Sequence, residues 1–231
     1  MSRHRRHLLA MLLAALVAVG TAAPVVAADP TPDPVLLVHG WRGDPSTWAD
    51  MIARFKAAQP DRVVKAIDLP GEDNVVNAAA IRDFIAAEGW SRVDIVGHSM
   101  GGLSSRHYVK GLGPTVVDTY VSLGTPQYGI YSACLLPQRS GGQMCPWSSF
   151  LRTLNSGDDT PPTASTPPVY WTTIYSTSDR FVPNSSSRLD GGACHVRVSG
   201  VSHNSLDNDA AVFGHVLASV DRQPCTGEMR T

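Results

Sequence analysis

One serine of the chain has neighbours that could make it reactive. Ser99 is the centre of Gly97–Gly101, which matches the pattern Gly-x-Ser-x-Gly. The strand-like run Val93–Val96 precedes it, and a stretch typical of a helix continues from Met100 to about Lys110. Between a strand and a helix this pattern forms a nucleophile elbow, which raises the serine hydroxyl above a sheet. The N-terminus of the helix also favours negative charge there, so we expect Ser99 to attack carbonyl carbons.

A serine nucleophile needs a base that takes its proton, and it needs a carboxylate that orients this base. In the elbow fold the acid and the histidine follow the serine in that order, each on a loop after a later strand. Among the downstream histidines, only His203 lies in a loop after the last strand-like segment. We therefore predict His203 as the base; the others fall within helices or a strand (His107, His195 and His215).

The acid must be an aspartate, because no glutamate occurs between the serine and the histidine. Asp179 follows a strand-like segment ending at Tyr175 by four residues, which is the position the fold requires. Asp158 and Asp159 lie in an irregular section, and Asp190 lies beside two glycines. We therefore interpret these positions as solvated turns. We predict Asp179 as the acid and keep Asp190 as the alternative.

Attack on a carbonyl also places negative charge on its oxygen, and losing one backbone donor to that oxygen costs about 3 kcal/mol. The amide of Met100, directly after the nucleophile, should be one donor. The second should come from the loop after the first strand, His39–Gly43, in which the Trp41 amide is well placed. We expect His39 and His98 to have packing roles.

These residues need a scaffold, and the hydrophobic pattern predicts one in which strands and helices alternate. Val35–Val38 is a continuous apolar run, as in a parallel strand that is buried on both faces. The pattern predicts an α/β fold with about six mostly parallel strands and helices on both faces. The predicted strands cover 35–38, 62–67, 93–96, 120–123, 169–175 and 195–198. Predicted helices begin at Thr47, Met100 and Leu206, and a further one follows a cap at Asn74.

The section between Gly124 and Pro168 is the longest one without clear periodicity. Its one helical candidate is Trp147–Leu154, in which four apolar residues fall on one face. A cysteine before it and a stiff proline-rich stretch after it argue against free movement. We therefore expect a fixed wall of the substrate groove rather than a lid.

The beginning of the chain has the three parts of a secretory signal peptide. Arg3, Arg5 and Arg6 precede the apolar run Leu8–Val19, and small residues follow up to Ala28. The apolar run is too short to span a bilayer as a helix. We expect residues 1–28 to be the signal peptide, with cleavage after Ala23 as the alternative, and residues 29–231 to be a single domain of a secreted protein.

The charge of the chain excludes one class of partner. It has 19 Lys and Arg and 20 Asp and Glu, and cleavage would remove three arginines and no acidic residue, which leaves a net charge of −4. No basic stripe remains for nucleic acid or for an anionic membrane surface. We expect no nucleic-acid partner and no stable insertion into a membrane.

All four cysteines lie in the region that would be exported, where disulfides persist. Three pairings are possible, and the spacing favours Cys134 with Cys145 and Cys194 with Cys225. A zinc site is the alternative, but the sequence has no Cys-x-x-Cys pair or cluster of Cys and His to support it. We expect two disulfides and no metal.

With these residues in place, the chain resembles the small secreted bacterial lipases of the α/β-hydrolase superfamily, the lipase class 2 group typified by Bacillus lipases. The resemblance runs from about Pro34 to about Val220, nearly the whole mature chain. The segments that carry it are Val38–Gly40, Val93–Gly102, Ile174–Asp179, Ser187–Gly191 and Gly200–His203.

The resemblance implies a minimal hydrolase fold without a helical lid, and it carries the catalytic triad onto Ser99, Asp179 and His203. It also implies hydrolysis of carboxylic esters, including triacylglycerols, with no cofactor and no metal. We expect a monomer that acts on an ester or lipid substrate. The alternatives are a short-chain carboxylesterase or polyester hydrolase with the same triad, or a catalytically inactive binding protein on the hydrolase fold.

Overall fold

A computed structural model describes residues 31–111, 116–161 and 168–229; the predicted signal peptide lies outside them. One sheet has the strand order β2-β1-β3-β4-β5-β6-β7, in which the first six strands are parallel and β7 is antiparallel to β6. The strands are β1 (Val35–Val38), β2 (Val64–Ile67), β3 (Val93–His98), β4 (Val117–Leu123), β5 (Tyr170–Ser176), β6 (Cys194–Val198) and β7 (Glu228–Met229).

Within the described residues, six α-helices alternate with the strands or follow them. They are α1 (Ala49–Ala58), α2 (Asn74–Ala87), α3 (Met100–Gly111), α4 (Ser149–Leu154), α5 (Asn184–Ser187) and α6 (Ala210–Val220). Short 3₁₀ turns cover Pro45–Trp48, Tyr131–Leu135, Gly142–Met144 and His203–Ser205. Among the described residues, no helix combines the length and the apolar character that a membrane crossing requires.

The sheet is covered on both faces because successive residues of a strand point to opposite sides. In β1, Leu37 joins the apolar cluster that contains Phe55 of α1 and Val216 of α6. Its neighbour Leu36 joins a second cluster, with Ile81 of α2. All five side chains are fully buried, and full burial of one such side chain contributes about 1.5–3 kcal/mol. The predicted α/β class, with helices on both faces, is confirmed.

The starts of three helices differ from those predicted. We predicted that α1 begins at Thr47, but the Asp44 side chain accepts a hydrogen bond from the Ser46 amide and begins a 3₁₀ turn there. Asp73, and not Asn74, caps α2 through the Val75 amide. The predicted start of α6 was also too early, since the cap of that helix is Asp209.

The C-terminal region holds a strand that the pattern did not reveal. The two residues of β7 pair with Cys194 and His195 of β6. A disulfide between Cys194 and Cys225 ties this edge to the end of the chain, and a second disulfide joins Cys134 to Cys145. The structure thus forms the two pairs that the spacing favoured. A run of two residues is too short to show strand periodicity, which is why β7 was missed.

The section after β4 packs on the helix that follows the nucleophile. Phe150, Leu151 and Leu154 of α4 form a third apolar cluster with Met100 and Leu103 of α3. The side chain of Trp147 does not share this buried face, because it is 66% exposed. The prediction that it does was wrong, since the helix begins two residues later, after its cap at Ser148.

Candidate active site

Ser99 lies in a sharp turn between β3 and α3. Its φ is +51°, a left-handed conformation that is uncommon for residues other than glycine and that occurs in functional sites. Its amide donates to the Leu123 carbonyl at 2.9 Å, and its carbonyl accepts from the Gly102 amide at 3.1 Å. These bonds hold the turn, so that Ser99 sits at the carboxyl ends of the strands and at the start of α3.

Two glycines of the elbow allow the helix to pack this closely. A Cβ atom at Gly97 would lie 2.6 Å from the Gly102 Cα atom, which is closer than real Cβ contacts. A Cβ atom at Gly101 would overlap the carbonyl oxygen of His39. Any side chain at these positions would push α3 away from β1 and β3. The spacing of the glycines is therefore a steric requirement of the elbow.

His203 lies between the serine and an aspartate. Its Nε2 atom is 3.0 Å from Ser99 Oγ, and its Nδ1 atom is 2.7 Å from Asp179 Oδ2. The 3₁₀ turn that begins at His203 follows β6, whereas Asp179 follows β5. Both distances are within the range for proton transfer between a nucleophile, a base and an orienting carboxylate. The structure thus brings together the three residues that were predicted from the sequence.

The carboxylate of Asp179 is held in its charged form. Its Oδ1 atom accepts hydrogen bonds from the amides of Phe181 at 2.8 Å and Val182 at 2.9 Å. Burial alone would raise the pKa of Asp179, but the hydrogen bond with His203 and those from the two amides outweigh it, so the pKa is lowered. A charged Asp179 can therefore accept a hydrogen bond from His203 Nδ1–H, which leaves the lone pair of Nε2 facing the serine.

The loop after β1 lies directly against the nucleophile. A Cβ atom at Gly40 would be only 3.0 Å from Ser99 Cβ. The next amide is that of Trp41, and within the described residues neither it nor the Met100 amide donates a hydrogen bond to another backbone carbonyl. Two unused amides beside a serine are suited to bind an oxyanion.

His39 shapes this loop and lies away from the reacting groups. The residue is 4% exposed. Its Nε2 atom accepts from the Leu69 amide at 3.1 Å, so its Nδ1–H donates to the Gly40 carbonyl at 3.0 Å. The expectation of a structural role for His39 agrees with these contacts.

His98, for which we expected only packing, makes a specific contact with the base. Its Nε2 atom is 3.0 Å from the His203 carbonyl oxygen, and the two rings are 4.9 Å apart. Its Nδ1 atom faces Asp207 Oδ2 at 3.7 Å. Burial lowers the pKa of His98 to about 3 and raises the pKa of Asp207 to about 6. The sequence signal for this pair was only that His98 adjoins the serine.

Gly124 is a further residue whose importance the sequence did not reveal. It follows β4 with a φ of +55°, a conformation that favours glycine. A Cβ atom there would be 3.0 Å from Asp179 Oδ2 and 3.1 Å from His203 Nδ1. A side chain at this position would crowd the pair, and its place after a strand was the available signal.

The other candidate aspartates do not reach His203. Asp190 is exposed in a turn. Asp159, which we took for a solvated turn residue, instead pairs with the fully buried guanidinium of Arg106 and accepts from Tyr128 Oη at 2.7 Å. The correction has a physical reason: a buried arginine needs a carboxylate, and sequence spacing does not show that one lies nearby.

Two clefts open beside the candidate site, with volumes of about 600 Å³ and 520 Å³. Phe181 lines both of them, and its ring lies 5.5 Å from that of His203. The first is lined by Thr177–Phe181, Gly200, Ser202 and His203, and the second by Tyr128–Ser132, Pro146, Phe181, Pro183, Ser185 and Ser186.

A group of three carboxylates lies at the opposite ends of the strands. Oxygen atoms of Asp33, Asp94 and Asp118 lie within 4.8 Å of one another, close enough to share a metal ion. Three guanidinium groups already bind these carboxylates, those of Arg62, Arg92 and Arg222. The chain itself therefore supplies the opposing charge, and we interpret the group as a structural ion-pair network.

Comparison with known proteins agrees with this fold. The model of the Alpha/beta hydrolase family matches residues 35–183, which is more than half of the chain. The match begins at β1 and includes the elbow and the loop that carries Asp179.

Two curated relatives are lipases by name. A triacylglycerol lipase of Burkholderia plantarii is 31% identical over 151 residues, which cover 55% of this chain and 42% of the relative. A triacylglycerol lipase of Pseudarthrobacter phenanthrenivorans is 33% identical over 109 residues, which cover 42% of this chain and 34% of the relative. The matched part thus spans less than half the length of either relative.

A solved structure has the same fold. The mature form of the lipase BlEst2 of Bacillus licheniformis superimposes with a TM-score of 0.67 and 18% identity, covering 86% of this chain and 96% of the other. At this identity the likeness concerns the fold alone.

Proposed function

The chain belongs to the Alpha/beta hydrolase family, and from this premise we propose that it is a serine hydrolase that cleaves carboxylic esters. The observation that carries the proposal is the contact of His203 with both Ser99 and Asp179, at 3.0 Å and 2.7 Å. The same contacts would support attack on other carbonyls, so the substrate class rests on further features.

In the first half of the reaction, Ser99 Oγ attacks the ester carbonyl carbon while His203 Nε2 takes the hydroxyl proton. The carbonyl π electrons move to its oxygen, and this oxyanion accepts hydrogen bonds from the Trp41 and Met100 amides. Asp179 stabilises the resulting imidazolium through Nδ1–H. When the tetrahedral intermediate collapses, the bond to the alcohol oxygen breaks and His203 gives its proton to the leaving alcohol.

In the second half, water takes the place of the alcohol. His203 removes a proton from the water as its oxygen attacks the acyl carbon, and the same two amides bind the second oxyanion. Collapse releases the carboxylic acid, and the proton returns from His203 to Ser99 Oγ. Each proton taken is given back within the cycle, so the enzyme is unchanged and one water is consumed.

We propose a lipid ester, most simply a triacylglycerol, as the substrate. The names of the two curated relatives support this choice. Exposed apolar side chains lie on the loops that flank the site: Phe181 is 63% exposed, Tyr131 is 72% exposed and Trp147 is 66% exposed. Such side chains favour contact with an apolar substrate phase. A short-chain carboxylesterase or a polyester hydrolase would use the same triad.

We further propose that the protein is secreted. The three-part segment at residues 1–28 and the two disulfides support export to an oxidising compartment. The monomeric state and the absence of a cofactor remain part of the same proposal.

The direct test measures hydrolysis of dissolved p-nitrophenyl butyrate by the wild type and by Ser99→Ala. Loss of a triad serine lowers the rate by about a million-fold in a comparable enzyme. The matched control is Ser91→Ala, because Ser91 is exposed and lies next to Arg92 at the opposite end of the sheet. A folded Ser99→Ala variant with near-normal activity, or a fluorophosphonate that labels another residue, would contradict the proposal.

A substrate profile separates the lipase from its alternatives. Rates are compared for p-nitrophenyl esters of increasing chain length and for emulsified triacylglycerols. If the enzyme is a lipase, we expect it to hydrolyse long-chain triacylglycerols. Activity confined to dissolved short esters would instead favour the carboxylesterase.

A further inference from the structure

A second imidazole contacts the main chain of the proposed base. His98 is the last residue of β3, and it is 8% exposed. Its Nε2 atom lies 3.0 Å from the carbonyl oxygen of His203. A carbonyl oxygen can only accept, so Nε2 carries a proton and donates it, and Nδ1 presents a lone pair.

The Nδ1 side of His98 is enclosed by two other parts of the site. Asp207 Oδ2 is 3.7 Å away, and Asp207 Oδ1 has no hydrogen-bond partner among the residues that the structure describes. On the loop after β1, a Cβ atom at Gly40 would be 3.3 Å from His98 Nδ1. The ring thus lies among the elbow, the loop after β1 and the segment that carries the base.

The backbone of His203 has few other supports. The residue begins a 3₁₀ turn of three residues, and no side chain caps that turn. Besides His98, the described donor to its carbonyl is the Leu206 amide, at 3.3 Å. Asp179 orients the ring from Nδ1, but it does not fix the main chain that carries the ring.

We propose that His98 is a positioning residue: its Nε2–H holds the main chain of His203 so that the imidazole of the base stays aligned with Ser99 Oγ. His98 does not touch the substrate and acts through His203. The inference rests on the proposed function, because alignment matters only if His203 transfers a proton.

The neutral state that this role requires is consistent with the surroundings. Burial lowers the pKa of His98 to about 3, so the ring is uncharged at neutral pH and adds no positive charge next to His203. A charged ring there would oppose formation of the imidazolium on the base.

The test compares His98→Gln with His98→Leu. The glutamine side chain can place an N–H donor near the position of Nε2, whereas leucine fills a similar volume without a donor. We expect His98→Gln to retain most of kcat. A displacement of about 1 Å between reacting groups can cost about 100-fold, so we expect kcat of His98→Leu to fall by roughly 10- to 100-fold with KM for p-nitrophenyl butyrate unchanged.

Labelling of Ser99 by a fluorophosphonate should slow by the same factor in His98→Leu, because it depends on the same proton transfer. Thermal unfolding shows whether the variants are folded. If His98→Leu does not fold, His98→Asn replaces it, since the shorter amide matches Nδ1 rather than Nε2 and should not rescue kcat.

The possible results separate this inference from the proposed function. A folded His98→Leu variant with wild-type kcat overturns the inference alone, provided that Ser99→Ala is inactive. Equal losses in the glutamine and leucine variants also overturn it, because the imidazole ring and not its donor would then matter. A wild type that hydrolyses no ester overturns the proposed function and the inference together.

Discussion

The two ends of the parallel strands differ in how their polar groups are satisfied. At the carboxyl ends, His203 lines an open cleft and contacts Ser99, and among the described residues the Trp41 and Met100 amides donate to no other backbone carbonyl. At the amino ends, carboxylates and guanidiniums are bound to one another. The charges that stabilise the sheet and the groups that could react therefore lie at opposite ends of its strands.

The network at the amino ends links segments that are distant in sequence. Asp118 in β4 accepts from Arg92 at 2.5 Å and from Arg222, after α6, at 2.7 Å. Arg92, just before β3, also binds Asp33, which lies just before β1. The other pairs join Arg62 to Asp94 and to Asp221. These bonds tie the starts of the strands to the end of the last helix.

The difference predicts that substitutions at the two ends have separable effects. At the carboxyl ends, substitutions within the proposed triad should change the rate of catalysis and leave the stability nearly unchanged. At the amino ends they should change the free energy of unfolding and leave the rate unchanged at 25 °C. A substitution that changed both to a similar extent would weaken the distinction.

The largest expected effect is on catalysis. Asp179→Asn should lower kcat by roughly 10⁴-fold, because an amide in place of the carboxylate favours the wrong tautomer of His203. The fold should persist, since the side chains are isosteric. Hydrolysis of p-nitrophenyl butyrate and thermal unfolding are measured on the same samples.

The matched control is Asp190→Asn, which changes an exposed aspartate in the same stretch of chain. It should leave kcat close to that of the wild type. If instead Asp190→Asn lost activity and Asp179→Asn did not, the roles of the two residues would have to be exchanged.

The next effect is on stability, at the opposite end. Asp118→Asn should lower the free energy of unfolding by about 2 kcal/mol, because it removes the charge from two hydrogen-bonded pairs. We expect no larger change in the free energy of unfolding, because the side chains of Arg92 and Arg222 are 46% and 31% exposed and solvent weakens their ion pairs. Urea unfolding measures the change, and kcat at 25 °C should not differ from that of the wild type.

The matched control for this prediction is Asp83→Asn, in which the aspartate side chain is 68% exposed and pairs only with its neighbour Arg82 among the described residues. Its effect on unfolding should be within experimental error. A loss of activity in folded Asp118→Asn would show that the two ends of the sheet are coupled.

An effect on stability of similar size, but one that depends on pH, should occur next to the active site. Burial raises the pKa of Asp207 to about 6, above its value of about 4 in an unfolded chain. Between these two values the folded protein holds a proton that the unfolded chain has released. The contribution of Asp207 to stability therefore declines as the pH rises through about 6.

Asp207→Asn should remove this decline. Below about pH 4 the variant and the wild type should be equally stable, and above about pH 6 the variant should be more stable by roughly 1–3 kcal/mol. Urea unfolding between pH 4 and pH 8 measures the difference. Asp190→Asn, in an exposed turn, should follow the wild-type curve. A variant that was less stable than the wild type at pH 8 would contradict the assignment of a raised pKa.

Much of the scaffold could be predicted because it depends on local patterns. Val35–Val38 was predicted with its correct bounds, since four buried apolar residues in a row leave little choice. The elbow was predicted because steric crowding restricts Gly97 and Gly101 to glycine. Ser99, Asp179 and His203 were predicted from their order in the chain and from their positions after strands. Because these strands are parallel, their carboxyl ends lie at the same edge of the sheet.

Contacts between distant side chains could not be predicted in the same way. The bond from His98 to the His203 carbonyl joins residues 105 positions apart, and nothing in either neighbourhood indicates the other. The pairing of Arg106 with Asp159 likewise depends on how the section after β4 folds back on α3. Caps were misplaced by one to three residues because Asp, Asn and Thr compete as caps at adjacent positions.

The helix α4 borders the site, and it could act as a lid only if it moved. Three contacts hold it. The Ser148 side chain caps its first turn at the Leu151 amide, 3.1 Å away, and Lys110 of α3 donates to the Leu154 carbonyl at 2.7 Å. Asn155, directly after the helix, accepts from the buried Arg106 guanidinium at 2.7 Å.

The smallest expected effect follows from these contacts. A lid opens at an oil surface when its apolar face can leave the protein, but Phe150, Leu151 and Leu154 are each at most 8% exposed and pack against Met100 beside the nucleophile. Withdrawing them would expose this cluster and break the buried contacts of Arg106. The rate of tributyrin hydrolysis should therefore rise smoothly through the solubility limit, with no jump when droplets form. A sharp increase at that limit would show that α4 moves, and it would place a mobile element beside the active site.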